Sequence, residues 1–115
     1  MYQFKRDHPI DARIKESSKI NLKYPTRAPI IVEKAETCEL CNIDKNKYLV
    51  PKDMNFGQFI FIIRKRIHLN PSQSLFVMVN NQLVSSSSSI MEIHEKYKDE
   101  DGFVYMKYTS ENTFG

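Results

Sequence analysis

Few residues in this chain are able to do chemistry, and most of those lack the company that chemistry needs. Cys38-x-x-Cys41 has the spacing of a redox dithiol or of half a zinc site. A structural zinc ion takes four ligands, and there is neither a second cysteine pair nor a histidine pair at ligand spacing. The two thiols are therefore expected in a surface loop, with no metal and no cofactor. His8, His68 and His94 belong to no local signature of a cysteine nucleophile, and 115 residues make a short protease scaffold. No catalytic residue is assigned, and no enzyme is expected. Arg64-Lys65-Arg66 could meet phosphates. Cations also favour the negative end of a helix, the formal net charge is only +3, and the aromatic-basic boxes of RNA-binding sheets are missing. No specific nucleic-acid partner is expected.

What remains is recognition chemistry. Phe56, Ile60, Ile63 and Ile67 recur at helical spacing and make one stripe to bury, while Phe59, Ile62 and Arg66 make a second, rotated away from it. One core cannot use both faces, so two readings stand: a helix buried nearly all round, or a helix with a face for a partner. Just ahead of it come Lys45, Lys47 and Tyr48-Leu49-Val50-Pro51. A short strand flanked by lysines can take an extended peptide as an added strand, with pockets beside it for large apolar anchors.

These residues need a scaffold. Asp7-His8-Pro9 opens a helix predicted over 10–24, with Asp11 near its positive end and Pro25 to stop it; a short helical turn within 1–7 can precede it. Only Ile10, Ala12, Ile14, Ile20 and Leu22 are aliphatic there, which predicts packing through a narrow stripe and a basic outer face. A β-branched strand is predicted over 28–34, with Pro29 at its start or on a solvent-facing edge, and a second over 48–50, closed by Pro51. Asp53 or Asn55 caps the helix predicted over 56–69. A strand over 75–79, a left-handed turn at Asn80-Asn81 and a short return over 82–84 follow. Five serines, 85–89, form a flexible loop before a short helix over 90–97. The acidic run Asp99-Glu100-Asp101-Gly102 then turns into a last strand over 103–108.

Strand, strand, helix, strand, short helix, strand describes an α+β domain in which a small mixed sheet grips one central helix. That order is the ubiquitin-like pattern, although other small α+β folds share it. At 115 residues, folding hides roughly 60 to 70% of the surface of the unfolded chain, enough for one modest core and not two. The charged opening carries no secretory apolar region, and an apolar run such as Phe59 to Ile63, which none exceeds, is far short of the ~20 residues that span a bilayer. A cytoplasmic location is expected, with any membrane association left to a surface or a covalent lipid. Charge is uneven: residues 1–69 carry +6 and residues 70–115 carry −3, which suits an acidic partner on one face.

At this point several blocks resemble one family. Residues 24–35 (YPTRAPIIVEKA), 44–51 (DKNKYLVP), 57–59 (GQF), 63–67 (IRKRI), 76–81 (FVMVNN) and the segment from Asp101-Gly102-Phe103-Val104-Tyr105 to Phe114-Gly115 are similar to the autophagy ubiquitin-like modifiers, the family of GABARAP and microtubule-associated-protein light chain three. The blocks fall in family order across almost the whole chain. The resemblance implies a ubiquitin-like β-grasp with two additional N-terminal helices. It divides the chain into a helical subdomain over 1–24, a core over 25–108 and a flexible conjugation tail over 109–115.

The resemblance also implies the site residues. A first pocket would be lined by Glu16, Ile20, Pro29, Ile31, Lys47, Leu49 and Phe103. A second would be lined by Tyr48, Val50, Pro51, Met54, Phe59 and Ile62. Arg27, Lys45 and Arg66, with Lys47, would form a positive rim for acidic residues beside an aromatic-x-x-aliphatic motif. Gly115 would be the point of conjugation to phosphatidylethanolamine, its missing side chain suiting a narrow catalytic cleft. Implied partners are autophagy receptors and adaptors carrying such motifs, activating and conjugating enzymes, a processing and deconjugating cysteine protease, and phosphatidylethanolamine membranes. The implied protein is a non-enzymatic modifier, cytoplasmic and, when lipidated, on the autophagosomal membrane. The rival is an unconjugated ubiquitin-like adaptor in vesicle trafficking or cytoskeletal binding.

Overall fold

A computed structural model describes residues 2–36, 40, 42–69 and 72–110. In chain order its elements are α1 (Gln3–Asp7), α2 (Ile10–Lys23), β1 (Arg27–Lys34), β2 (Lys47–Pro51), α3 (Phe56–Arg66), β3 (Phe76–Val79), α4 (Ile90–Tyr97) and β4 (Val104–Thr109). The four strands form one sheet in the order β2-β1-β4-β3, with β1 and β4 parallel at its centre and both outer pairings antiparallel.

Pro29 lies in an interior strand and is buried, not on a solvent-facing edge. The register explains why a proline is tolerated. Val32 N–H donates to the Asn46 carbonyl and Lys52 N–H to that of Thr26, so even-numbered residues of β1 face β2 in the ladder. Pro29 therefore turns its nitrogen toward β4, whose pairing starts only at Ile30 opposite Val104, and no ladder bond is lost.

Alternation along the strands builds a layer on each side of the sheet. Ala28, Ile30, Val32, Tyr48, Val50, Val104, Met106 and Tyr108 join Phe56, Phe59, Ile63 and Ile67 of α3 and Ile90 and Ile93 of α4 in the main core. The reverse face carries a smaller aromatic cluster of Ile31, Phe103 and Tyr105 with Phe4, against which Tyr2 and Ile20 pack. The expectation of a single core therefore needs correcting: α1 and α2 supply Phe4 and Ile20 to cover the second face of the sheet.

Asn55 caps α3 through a reciprocal box, its side chain accepting from Gln58 N–H while Gln58 accepts from Asn55 N–H. The helix stops at Arg66, short of the predicted Leu69, and the chain turns through His68 at φ 56°, a left-handed conformation that cannot continue a helix. Asn80 and Asn81 adopt the predicted left-handed turn, but the return over 82–84 shrinks to a single bridge between Val79 and Gln82. The serine segment is tied down rather than loose. The Ser88 and Ser86 carbonyls accept from Phe56 and Gly57 N–H at the start of α3, and the Ser89 side chain caps α4 by accepting from Glu92 N–H. Thr109, expected in a free tail, is buried as the last residue of β4.

The apolar stripe predicted for α2 holds only in part: Ile20 packs on the reverse-face cluster and Ile10 is half-buried, but the other aliphatic positions face outward. Leu22 is 83% exposed and Ile14 is exposed, while the buried positions are Arg13 and Ser17. Arg13 Nε donates to Asp101 Oδ2 at 2.8 Å, and the Ser17 hydroxyl donates to the Asp101 carbonyl. Gly102 permits this approach: its φ is +92°, and a Cβ there would collide with the Ser17 side chain.

Candidate functional site

β2 is an outer strand of the sheet, and its five residues alternate between the two layers. Tyr48 and Val50 point into the main core, while Lys47, Leu49 and Pro51 lie on the reverse face. Directly opposite Lys47 and Leu49 on β1 stand Ile31 and Pro29. These four, with Ile20 and Phe103 from the reverse-face cluster, bring the proposed first-pocket residues to one place. Glu16 of α2 forms an ion pair with Lys47 Nζ across that face. Ile31 and Phe103 are wholly buried, whereas Leu49 and Lys47 are half-buried and remain accessible on that face.

Phe4 also belongs to this site, and sequence reasoning missed it. It packs edge-on against Phe103 with ring centroids 5.1 Å apart, and Lys47 Nζ sits 5.6 Å from its ring centroid. A lone Phe in a charged opening segment gives no periodic signal. Only its packing from α1 onto Ile31, Phe103 and Tyr105 of the reverse face brings it to these residues.

The second group is less open than its sequence pattern implied. Phe59, read as part of a surplus stripe, is 1% exposed and packs edge-on against Tyr48 at 5.4 Å. Both rings, with Val50, are core. Met54 is partly buried against that core, Pro51 is half-buried at the strand end, and Ile62 is 37% exposed. Of the six residues expected to line a second pocket, Pro51, Met54 and Ile62 are thus the accessible ones, and Tyr48, Val50 and Phe59 are buried in the core. The helix does keep an unburied side, but on Phe61 and Ile62 rather than on Phe59.

The rim charges are distributed along the strand. Lys45 Nζ lies 5.1 Å from the Tyr48 ring centroid, and Arg66 Nε lies 3.4 Å from Asp44 Oδ1. Burial pushes the Tyr48 phenol pKa up, partly offset by the neighbouring Arg66, so the ring stays neutral at any physiological pH. At the other end of the strand Arg27 donates to the Leu49 carbonyl at 3.0 Å. Among the described residues no three His, Cys, Asp or Glu side chains could hold a metal ion together. Cys38, Cys41 and Gly115 lie outside the described residues.

A scan against family models matches residues 12–115 to "Autophagy protein Atg8 ubiquitin like". The chain belongs to the Atg8 family. Among curated Atg8 proteins it is similar to Autophagy-related protein 8i of Arabidopsis thaliana, with 50% identity over 115 residues and all of both chains covered. It is likewise similar to Autophagy-related protein 8d of the same plant, 48% identical over 112 residues, covering 97% of this chain and 93% of that one. The crystal structure of Trypanosoma brucei ATG8 superposes with a TM-score of 0.91 at 41% identity, covering all of this chain and 99% of that one. The Atg8 fold accounts for the architecture: a ubiquitin-like sheet grasping α3, with α1 and α2 added on the reverse face. Among the described residues no helix is long and apolar enough to cross a membrane.

Proposed function

We propose that this Atg8 protein is a non-enzymatic modifier that is joined through Gly115 to phosphatidylethanolamine and recruits autophagy receptors and adaptors by strand addition at β2. The observation that supports the binding half of this reading is the alternation of β2 at the sheet edge: one short strand turns Leu49 to one face and Tyr48 and Val50 to the other. An extended segment paired alongside it can place an aromatic anchor and an aliphatic anchor, three residues apart, on the two sides of the strand. Each anchor contributes about 1.5–3 kcal/mol and each added backbone hydrogen bond about 0.5–1.5 kcal/mol. After ordering costs, this corresponds to micromolar binding. Lys45, Lys47, Arg27 and Arg66 make the rim favourable to acidic segments.

The conjugation half rests on family membership and on the chemistry of a terminal glycine. An amide cannot form at neutral pH between a free carboxylate and an amine, so the carboxylate must first be activated and carried as a thioester by the activating and conjugating enzymes. A cysteine protease would trim any residues beyond Gly115 and later reverse the conjugate. In this reading the protein is cytoplasmic until lipidation places it on the autophagosomal membrane. Reconstitution with activating and conjugating enzymes on phosphatidylethanolamine liposomes, read by intact mass, tests it. The full chain should gain one lipid mass and float with liposomes, and a chain lacking Gly115 should do neither while still binding motif peptides. Flotation of the truncated chain would favour the unconjugated adaptor.

A further inference from the structure

Resting on the reading that Gly115 carries a lipid, we infer that the outer face of α3, Phe61 with Arg64, Lys65 and His68, is the surface that lies against an anionic membrane once the chain is conjugated. Phe61, Arg64 and Lys65 stand at i, i+3 and i+4 on the helix, on the side turned away from the buried Phe59 and Ile63, and His68 follows just past its end. Phe61 is 56% exposed, Lys65 and His68 are exposed, and Arg64 is half-buried. With Leu69 the four line a cavity of about 410 Å³. Ile62 and Arg66, which fall between them in sequence, belong to the expected docking site and are not part of this face.

No acid answers these cations. Residues 54–91 contain no Asp or Glu, and among the described residues neither Arg64 nor Lys65 forms an ion pair. Arg64 Nη1 donates instead to the Gln73 carbonyl at 2.7 Å, a neutral partner that leaves the charge uncompensated. Lys65 Nζ lies 4.7 Å from the Phe61 ring centroid. An exposed aromatic ring flanked by cations matches the headgroup layer of an anionic bilayer, where the ring enters the interface and the ammonium stays with the phosphates. The position in the fold agrees. Thr109, which ends β4, pairs with Phe76, and Phe76 comes only three residues after the Gln73 held by Arg64, at most about 10 Å along the chain. Residues 110–115 span at most about 20 Å, so a lipid joined to Gly115 keeps this end of the sheet, and this end of α3, close to the bilayer.

The chain contains no Trp, so Phe61→Trp supplies a single reporter at an exposed position, and Leu22→Trp on α2, where Leu22 is 83% exposed, is the control. Each full chain is conjugated on phosphatidylethanolamine vesicles that contain brominated phosphatidylcholine as quencher, with or without phosphatidylserine, and conjugation is verified by intact mass. Phe61→Trp should be quenched on the phosphatidylserine vesicles, and Leu22→Trp should not. Adding Lys65→Ala to Phe61→Trp should lower the ratio of quenched to unquenched chains about fivefold. Raising the salt from about 0.1 M to about 1 M, which shortens the screening length from roughly 10 Å to roughly 3 Å, should act in the same direction. Equal quenching with and without phosphatidylserine, or quenching of Leu22→Trp alone, overturns the inference. So does a Phe61→Trp emission that responds to a single-stranded RNA and not to the anionic vesicles. A chain that gains no lipid mass overturns instead the conjugation reading on which the inference rests.

Discussion

Arg13 of α2 and Asp101 of the turn before β4 form an ion pair at 2.8 Å with side chains 9% and 0% exposed. Asp101 is fully engaged: Oδ2 also accepts from the Tyr105 hydroxyl at 2.5 Å, and Oδ1 accepts from Phe103 N–H at 2.9 Å. Arg13 in turn donates to the carbonyls of Lys5 and His8, linking α1 to the same point. The reverse-face cluster, which includes Phe103 and Tyr105, is held by this network.

Removing one partner of a buried pair leaves the other charge uncompensated. Asp101→Ala should lower unfolding free energy by about 3–5 kcal/mol, whereas replacing both residues with apolar ones of similar volume should cost much less. Urea denaturation of the two variants decides the point. A loss below about 1 kcal/mol for Asp101→Ala would mean that the pair does not hold α2.

This network also marks where sequence reading fails. Periodicity weights apolar residues, so on α2 it finds Ile10 and Ile20 but misses Arg13 and Ser17, which are buried on the same face, and it counts Leu22, which is exposed. Asp101 sat in a run that reads as a solvated turn. By contrast, Asn55 as a cap, the left-handed Asn80-Asn81 turn and the bounds of α4 were legible, because local backbone chemistry sets them. The edge position of β2 agrees with its reading as a short, lysine-flanked strand open to an added one, whereas the burial of Phe59 depends on packing against the distant Tyr48, which no local pattern encodes.

Tyr48 and Leu49 are neighbours in sequence with opposite duties. Tyr48 packs on Phe59 in the core, so Tyr48→Ala should destabilise the fold by about 3–5 kcal/mol. Leu49 is half-buried on the other face, so Leu49→Ala should weaken an aromatic-x-x-aliphatic peptide about tenfold with little loss of stability. Thermal melts beside peptide titrations separate the two. Equal destabilisation by both substitutions would contradict the assignment of faces.

Lys47 is held by Glu16 and faces Phe4, so its charge lies beside Leu49 on the reverse face, where the proposed docking segment would pass. Lys47→Glu places a second carboxylate beside Glu16 and should weaken acidic peptides more than neutral ones. The difference should shrink as salt rises, since exposed charges are screened over roughly 8–10 Å at physiological ionic strength. Equal losses for both peptide classes, insensitive to salt, would show that Lys47 acts through packing.

His94 of α4 gives the fold a pH dependence of known sign. Burial lowers its pKa below the usual 6.5, Lys52 and Lys98 push the same way, and a hydrogen bond to the Gly102 backbone and the Glu95 charge oppose them. The unfolded chain therefore binds a proton at this residue more readily than the folded one. The stability tied to neutral His94 is complete above about pH 6.5 and is lost as pH falls from that value through the folded-state pKa. His94→Gln cannot titrate, so it should lose less stability than the parent between pH 7.5 and pH 5. Urea midpoints of the two proteins, followed across that range, should converge or cross as the solution is acidified. A constant gap between them would show that His94 carries the same proton occupancy folded and unfolded, and that the acid sensitivity of the fold arises elsewhere.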